Sequence, residues 1–405
     1  SRVATRASFM KKRIRGRIPE PAQSDIRGSL EVRMARSYFT HDVWLEDQAD
    51  KGVPLYKDCY VDDLRDLQLA HWDVRDCDAA FIQFTDMNGV TEARVQEIPA
   101  GESLKPFKLG VDALVYVLQG RGFASVYGDI SKAHRDFEWG ERSAFVIPRN
   151  AWCELRNMSD KPVRLLHFNY LPLAMTVIND PSFFFNNEHV NGSMIDDANQ
   201  EFFSEAKDIE KDFGSAWGKV GAKVWSGNFW PDLLAWDKLT SLGNRGAGGS
   251  SIAMYVPGSE MSAHMSVFPP GRYKKAHRHG PGRLIVIPGG EGYSIMWPEG
   301  GEKKIYPWHE GSAITPPDQY FHQHFNLGTK AARYFALHPP VQFIGKEEDE
   351  SGDAKESNIN YTDEEPWIRE YFEEELAKRN LKTDMPEEAY QDVDYIFKTA
   401  STSSQ

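Results

Sequence analysis

Five of the twelve histidines fall between Gly271 and Asn326, and their spacing suits a metal site. His277 and His279 stand two apart. Side chains two residues apart on a strand project from the same face, so these two imidazoles can grip one ion together. A third ligand has to come from another strand. His322 is the best candidate, because it follows the turn signal Pro316-Pro317 in an aromatic, strand-prone run, Tyr320-Phe-His-Gln-His-Phe325.

Around these residues the chain reads Gly271-x5-His277-x-His279-x3-Arg283-x6-Gly290, and then Gly311-x5-Pro317-x-Gln319-x2-His322-x3-Asn326. The pattern resembles the two motifs of the cupin superfamily, with Arg283 where the family carries a glutamate ligand and Gln319 where it carries a glycine. Arginine stays protonated and cannot bind a cation, so the ligand set becomes three neutral histidines. That set, with the strings His277-Arg-His279 and His322-Gln-His324, resembles the gentisate dioxygenase branch. The resemblance implies Fe(II) on His277, His279 and His322, with Mn, Ni and Zn as alternatives. It also implies dioxygen and a small, anionic, aromatic substrate bound through a carboxylate and an ortho hydroxyl.

Three neutral ligands on one face would leave the ion its full charge and three open positions, which favours an anionic substrate. Arg283 can add a positive group for a substrate carboxylate. His324, one strand period past His322, suits an acid/base or hydrogen-bonding role. His264, on a strand ahead of the first motif, faces either the cavity or the core. Tyr293, Met296 and Trp297 would supply an aromatic wall to the pocket, or ordinary barrel core.

The elements that must position these residues come in two copies. An offset of 169 to 170 residues brings Pro99 and Gly101 onto Pro269 and Gly271, and Gly120 and Gly122 onto Gly290 and Gly292. It also places Trp139 on Trp308, Pro148 on Pro317, Asn157 on Asn326 and Arg164 on Arg333. The first copy has Phe107-Lys108-Leu109 in place of the His277 triplet and Cys153 in place of His322, so it has lost its metal. Short aromatic and β-branched runs, such as Ala113-Leu-Val-Tyr-Val-Leu118 between turn residues, indicate an all-β fold. The expectation is two tandem cupin jelly-roll barrels, with a helical connector and a helical C-terminal tail.

The expected boundaries are a basic arm and short helix over 1–54, a first barrel over 55–175, a connector over 176–222, a second barrel over 223–342, and an acidic linker and helical tail over 343–405. Tyr38 to Asp50 has helical spacing, as has the charged stretch Asp196 to Asp212 in the connector. Trp367, Ile368, Tyr371, Phe372 and Leu376 line one side of a tail helix. Asn244-Arg-Gly-Ala-Gly-Gly249 lacks the lysine and glycine spacing of a phosphate loop and reads as a tight turn before a strand.

Composition narrows the setting. With 405 residues, 40% of them hydrophobic and 12% aromatic, the chain has ample material for packed cores. A net charge of −13 argues against a nucleic-acid partner, although residues 1–36 concentrate ten Lys and Arg against Glu20, Asp25 and Glu31. That arm is expected to dock on the acidic face of a sister subunit in a homodimer or homotetramer. Three scattered cysteines, Cys59, Cys77 and Cys153, cannot build a disulfide framework, and no membrane span or leader is visible, so the expected setting is the cytoplasm. The functional expectation is a ring-cleaving Fe(II) dioxygenase acting on a hydroxylated aromatic acid. The alternatives are a non-oxidative metalloenzyme (decarboxylase, lyase or isomerase) and a binding protein without catalysis.

Overall fold

The computed structural model describes residues 40–128, 134–191, 202–208, 223–235, 240–241, 246–340 and 358–397. The basic arm and the acidic linker lie outside these residues. Two β-barrels of like topology follow one another, as expected from the repeat. In the first, the large sheet has the order Leu55–Tyr56, Cys77–Ile82, Glu92–Ile98, Val163–Asn169, Ala113–Gln119, Ala144–Ile147 and Phe229–Trp230. It faces a small sheet ordered Ser103–Lys108, Trp152–Asn157, Gly122–Tyr127 and His134–Trp139. The second barrel repeats the scheme. Its large sheet centres on Ser250–Tyr255, Ser262–Phe268, Ala332–His338, Leu284–Gly289 and Ala313–Ile314. Its small sheet runs Lys304–His309, Glu291–Trp297, Phe321–Asn326, Ala276–His277 and Asn358–Ile359.

The copies are tied by a reciprocal strand exchange. Phe229–Trp230, ahead of the second barrel, pairs with Phe145 and Ala144 of the first. Tyr60–Val61, which follows the first barrel's opening strand Leu55–Tyr56, pairs with Ile314 and Ala313 of the second. Each exchanged strand is locked by a serine hydroxyl donating to the next backbone carbonyl, Ser143 to Pro231 at 2.7 Å and Ser312 to Asp62 at 2.6 Å.

The burial pattern follows from this packing. Ala113–Gln119 is apolar without alternation because both of its faces are covered. Leu114, Tyr116 and Leu118 join the layer between the barrels, where Met254, Met265, Val286 and Phe335 meet them. Val115 and Val117 fill the first barrel's own interior with Phe137, Phe145 and Leu165. His134–Trp139, at a small-sheet edge, alternates between exposed and buried positions as a one-sided strand should. Asn157 and Asn326 close equivalent corners, each donating from Nδ2 to backbone carbonyls on different segments, Ile98, Pro99 and Lys161 in one, Phe268 and Lys330 in the other.

Outside the barrels, the expected first helix spans His41–Asp50 and buries Trp44 and Leu45. The tail helix spans Pro366–Ala377 and buries Ile368, Phe372 and Leu376. It lies against the outer side of the second barrel's small sheet, among Tyr273, Tyr293, Ile295 and Phe325. Gly246 to Gly249 form the expected turn into Ser250–Tyr255, with positive φ at Gly246, Ala247 and Gly248. A helix at Leu171–Val177 lies at the end of the first-barrel span and reaches only the first two residues of the connector. One expectation is corrected there: Glu205–Asp208, within the stretch read as helical, is a strand paired with Lys223–Ser226. An edge partner decides that segment, and charge spacing carries no information about it. The flanking 192–201 and 209–222 lie outside the described residues.

Candidate metal centre

His277 sits on the short strand Ala276–His277, His279 just beyond it, and His322 on Phe321–Asn326. The two strands pair with His277 directly opposite His322. Ring nitrogens of the three imidazoles lie within 4.8 Å of one another. Each ring also has Nδ1 facing a backbone carbonyl: His277 to Lys275 at a long 3.4 Å, His279 to Gly280 at 3.0 Å and His322 to Tyr320 at 3.1 Å. A carbonyl only accepts, so a neutral ring in this arrangement carries its proton on Nδ1 and keeps the Nε2 lone pair for a metal. Three convergent neutral nitrogen donors fit a divalent first-row ion.

The first barrel supplies an internal reference for the surroundings. Its corresponding cavity is lined by Arg94, Gln96, Phe107, Leu109, Ala113, Cys153, Leu155 and His167. At the repeat offset these positions become His264, Ser266, His277, His279, Arg283, His322, His324 and Ala336. Cys153 stands opposite Phe107 in the same register that sets His322 opposite His277. The residues singled out for the site therefore occupy positions that line the equivalent cavity of the first barrel.

Among them, His324 is buried and its Nδ1 lies 2.7 Å from Ser294 Oγ, which also accepts from Trp308 Nε1 at 3.1 Å. The edge of the Tyr334 ring approaches it, with centroids 4.6 Å apart. His264 is half-buried and pairs with His338, Nδ1 to Nε2 at 2.7 Å. One of the two imidazoles must donate and the other accept, so the pair can hold or pass a proton. Arg283 is buried, and its carbonyl accepts from Thr315 Oγ1 at 3.0 Å.

Three nearby residues escaped the sequence reading. Lys274 is buried, with Nζ 2.5 Å from Ser266 Oγ and above the rings of Phe268 and Tyr334. His338 is the partner of His264. Asp86 reaches over from the first repeat, and its Oδ2 accepts from Gly282 N at 3.1 Å. Burial, and then the charge of Asp318, push the Asp86 carboxyl up to about 7, against backbone hydrogen bonds from Gly282 and Arg283 and the charge of Arg283. None of the three has a local signal, because each is placed by pairing across the barrels or around one.

The aromatic wall is a correction. On Glu291–Trp297 the period of two sends Ser294 and Met296 inward and Tyr293, Ile295 and Trp297 outward. Tyr293 stacks on Phe325 and meets Tyr371 of the tail helix. Only Met296 of the three expected residues faces the interior.

Gln319 keeps the backbone form of the glycine it replaces. Its φ is 59°, as its first-barrel counterpart Asn150 has φ 56°, and its N–H donates to the carbonyl of His279 at 3.1 Å. The turn needs a left-handed residue to make that bond.

No family model matches this chain, and no curated protein matches it. Solved structures do. A deletion mutant of Bacillus subtilis oxalate decarboxylase OxdC is 12% identical, over 70% of this chain and 77% of that one, with a TM-score of 0.44. The formate complex of Lactobacillus farciminis oxalate decarboxylase is 10% identical, over 70% of this chain and 87% of that one, also with a TM-score of 0.44. No helix among the described residues is long and apolar enough to cross a membrane.

Proposed function

We propose that this chain is a metal-dependent enzyme whose second barrel binds a divalent ion through His277, His279 and His322 and transforms a small carboxylate substrate without net oxidation. The observation that carries the reading is the histidine cluster: ring nitrogens of His277, His279 and His322 lie within 4.8 Å of one another, His324 lies beside His322, and His264, paired with His338, holds a position that lines the equivalent cavity of the first barrel. A divalent ion held there would act as a Lewis acid toward a carboxylate or carbonyl oxygen. Arg283 and Lys274 would add positive charge for an anion, and the His264–His338 pair or His324 would exchange the proton. In the decarboxylating form of the reaction, the bond from carbon to a carboxylate breaks and CO2 leaves. The electron pair stays on the remaining carbon, where a proton from an imidazolium takes the place of CO2.

The second reading is the Fe(II) dioxygenase acting on a hydroxylated aromatic acid, with dioxygen as co-substrate. The all-histidine ligand set favours it, and the outward turn of Tyr293 and Trp297 removes one support for an aromatic substrate. Metal analysis of the purified protein, followed by two assays, separates the readings. Anaerobic turnover of small di- and keto-carboxylates with release of CO2 or isomerised product supports the first. Dioxygen uptake with an ortho-hydroxy aromatic acid and an iron-loaded protein would replace it with the second. A homodimer or homotetramer is proposed as the working form, with sedimentation at micromolar concentration as its check.

A further inference from the structure

The retired site in the first barrel is not inert. It holds a narrow, partly open cavity of about 20 Å³, enough for one particle the size of a water or a halide. Its lining is unusual for a barrel core. Arg75, Arg94 and His167 are 5%, 2% and 4% exposed, beside Cys153, Gln96 and Phe107.

The charges in this pocket do not cancel. Arg94 Nη1 donates to Glu92 Oε1 at 2.5 Å, and Glu92 also binds His41 and Asn169, so that cation has its counter-charge. Among the described residues Arg75 has none: Nη1 donates to the neutral carbonyl of Lys105 at 2.9 Å, and the guanidinium lies 4.2 Å from the Phe107 ring centroid. The groups acting on its charge are Cys77, Cys153 and Arg94, none of them a carboxylate. Burial holds the Cys153 thiol up at about 12 and His167 well below its ordinary value, so neither a thiolate nor an imidazolium is present near neutral pH. Two further buried nitrogens at the cavity, Arg94 Nε and His167 Nε2, make no hydrogen bond. Leaving a buried cation unbalanced, with unsatisfied donors around a narrow space, is costly.

We propose that this cavity is a binding site for one small monovalent anion of halide size, held by the Arg75 guanidinium, Arg94 Nε and His167 in its Nε2–H tautomer. A water molecule could accept from the same donors, but it would leave the charge of Arg75 uncompensated. The two barrels then use one position of the fold with opposite sign. Three histidines gather for a cation in the second, whereas Phe107, Leu109 and Cys153 stand in their places in the first and Arg94 occupies the place of His264. The inference does not depend on what the second barrel catalyses.

Crystals of the metal-loaded wild-type protein grown or soaked in sodium bromide test it directly. An anomalous bromine peak between Arg75, Arg94 and His167 is the expected result, separate from any halide at the second barrel. Water density there without anomalous signal at saturating bromide overturns the proposal. In solution, chloride should raise the Tm of the metal-saturated protein by about 2 °C or more over gluconate at equal ionic strength, because gluconate is too large for the cavity. The Arg75→Met variant should lose both the peak and the chloride preference while keeping its metal. Equal Tm in the two salts, or a chloride preference that survives in Arg75→Met, would count against the assignment.

Discussion

The tail helix should act as a brace on the metal ligands, and Phe372→Ala is the sharpest way to test it. Phe372 is fully buried, with its ring centroid 5.1 Å from that of Tyr273 and 5.5 Å from that of Phe325. Those two residues flank the ligands in sequence, and the tail strand Asn358–Ile359 pairs with Ala276–His277 itself. Truncating a buried phenylalanine removes about 3–5 kcal/mol. If the lost packing is chiefly that between tail and sheet, the free energy of opening the tail falls by the same amount. Amide exchange over 276–277 should then accelerate by about two to three and a half decades, at roughly 1.4 kcal/mol per decade, and metal affinity should drop with it. Hydrogen exchange by mass spectrometry and a competitive metal titration measure the two effects. A variant that loses global stability by denaturant unfolding, yet keeps wild-type protection at 276–277 and wild-type metal affinity, would refute the brace.

Three further outcomes follow. His279→Ala should abolish bound metal and turnover, whereas Cys153→Ala should retain the metal; elemental analysis reads both. Gln319→Gly should relieve the left-handed strain at φ 59° and raise stability by about 1 kcal/mol in denaturant titration, with metal content unchanged, and a loss of stability would mean that the side chain has a role of its own. Burial pushes the Glu364 carboxyl up to about 7 from an ordinary 4.5, against hydrogen bonds donated by Tyr273 and Gln323. The folded state therefore holds the proton more tightly than the unfolded one. Stability should be unaffected below about 4.5, fall as pH rises from there to about 7, and stay level above, by an upper bound of about 3 kcal/mol. Glu364→Gln should flatten that part of the wild-type Tm profile, and an unchanged slope would exclude Glu364 as its source.

The three-histidine cluster was legible in the sequence because the rule that positions its members is local. Two residues along a strand share a face, and a proline turn starts the next strand in register, so His277, His279 and His322 could be assembled without knowing the fold. The two barrels were legible for a related reason: glycines and prolines recur where a turn or a missing Cβ is obligatory. At Gly122 an added Cβ would fall 2.2 Å from the Arg156 carbonyl and from the Trp139 ring, and at Gly292 it would fall 1.9 Å from the Phe325 carbonyl and 2.7 Å from the Trp308 ring. The same glycine–tryptophan contact is conserved between the halves because neither partner can change alone.

What the sequence hid depends on which second surface covers each strand. Glu291–Trp297 carries apolar residues on both sides, so its pattern cannot say which side lines the cavity. Only the tail, folded over Tyr293 and Phe325, settles that. The strand Glu205–Asp208 was misread for the same reason, since its identity comes from Lys223–Ser226 beside it. Lys274, His338 and Asp86 reach the site through pairings of distant segments, and Asp86 crosses from the other barrel. That crossing makes the first barrel more than a spacer. It lends Asp86 to the segment Gly282-Arg283 and the strand Tyr60–Val61 to the edge of the second barrel's large sheet. A half-chain cut at the connector would remove both, so the second barrel's site is built by the whole repeat and not by the half that carries its ligands.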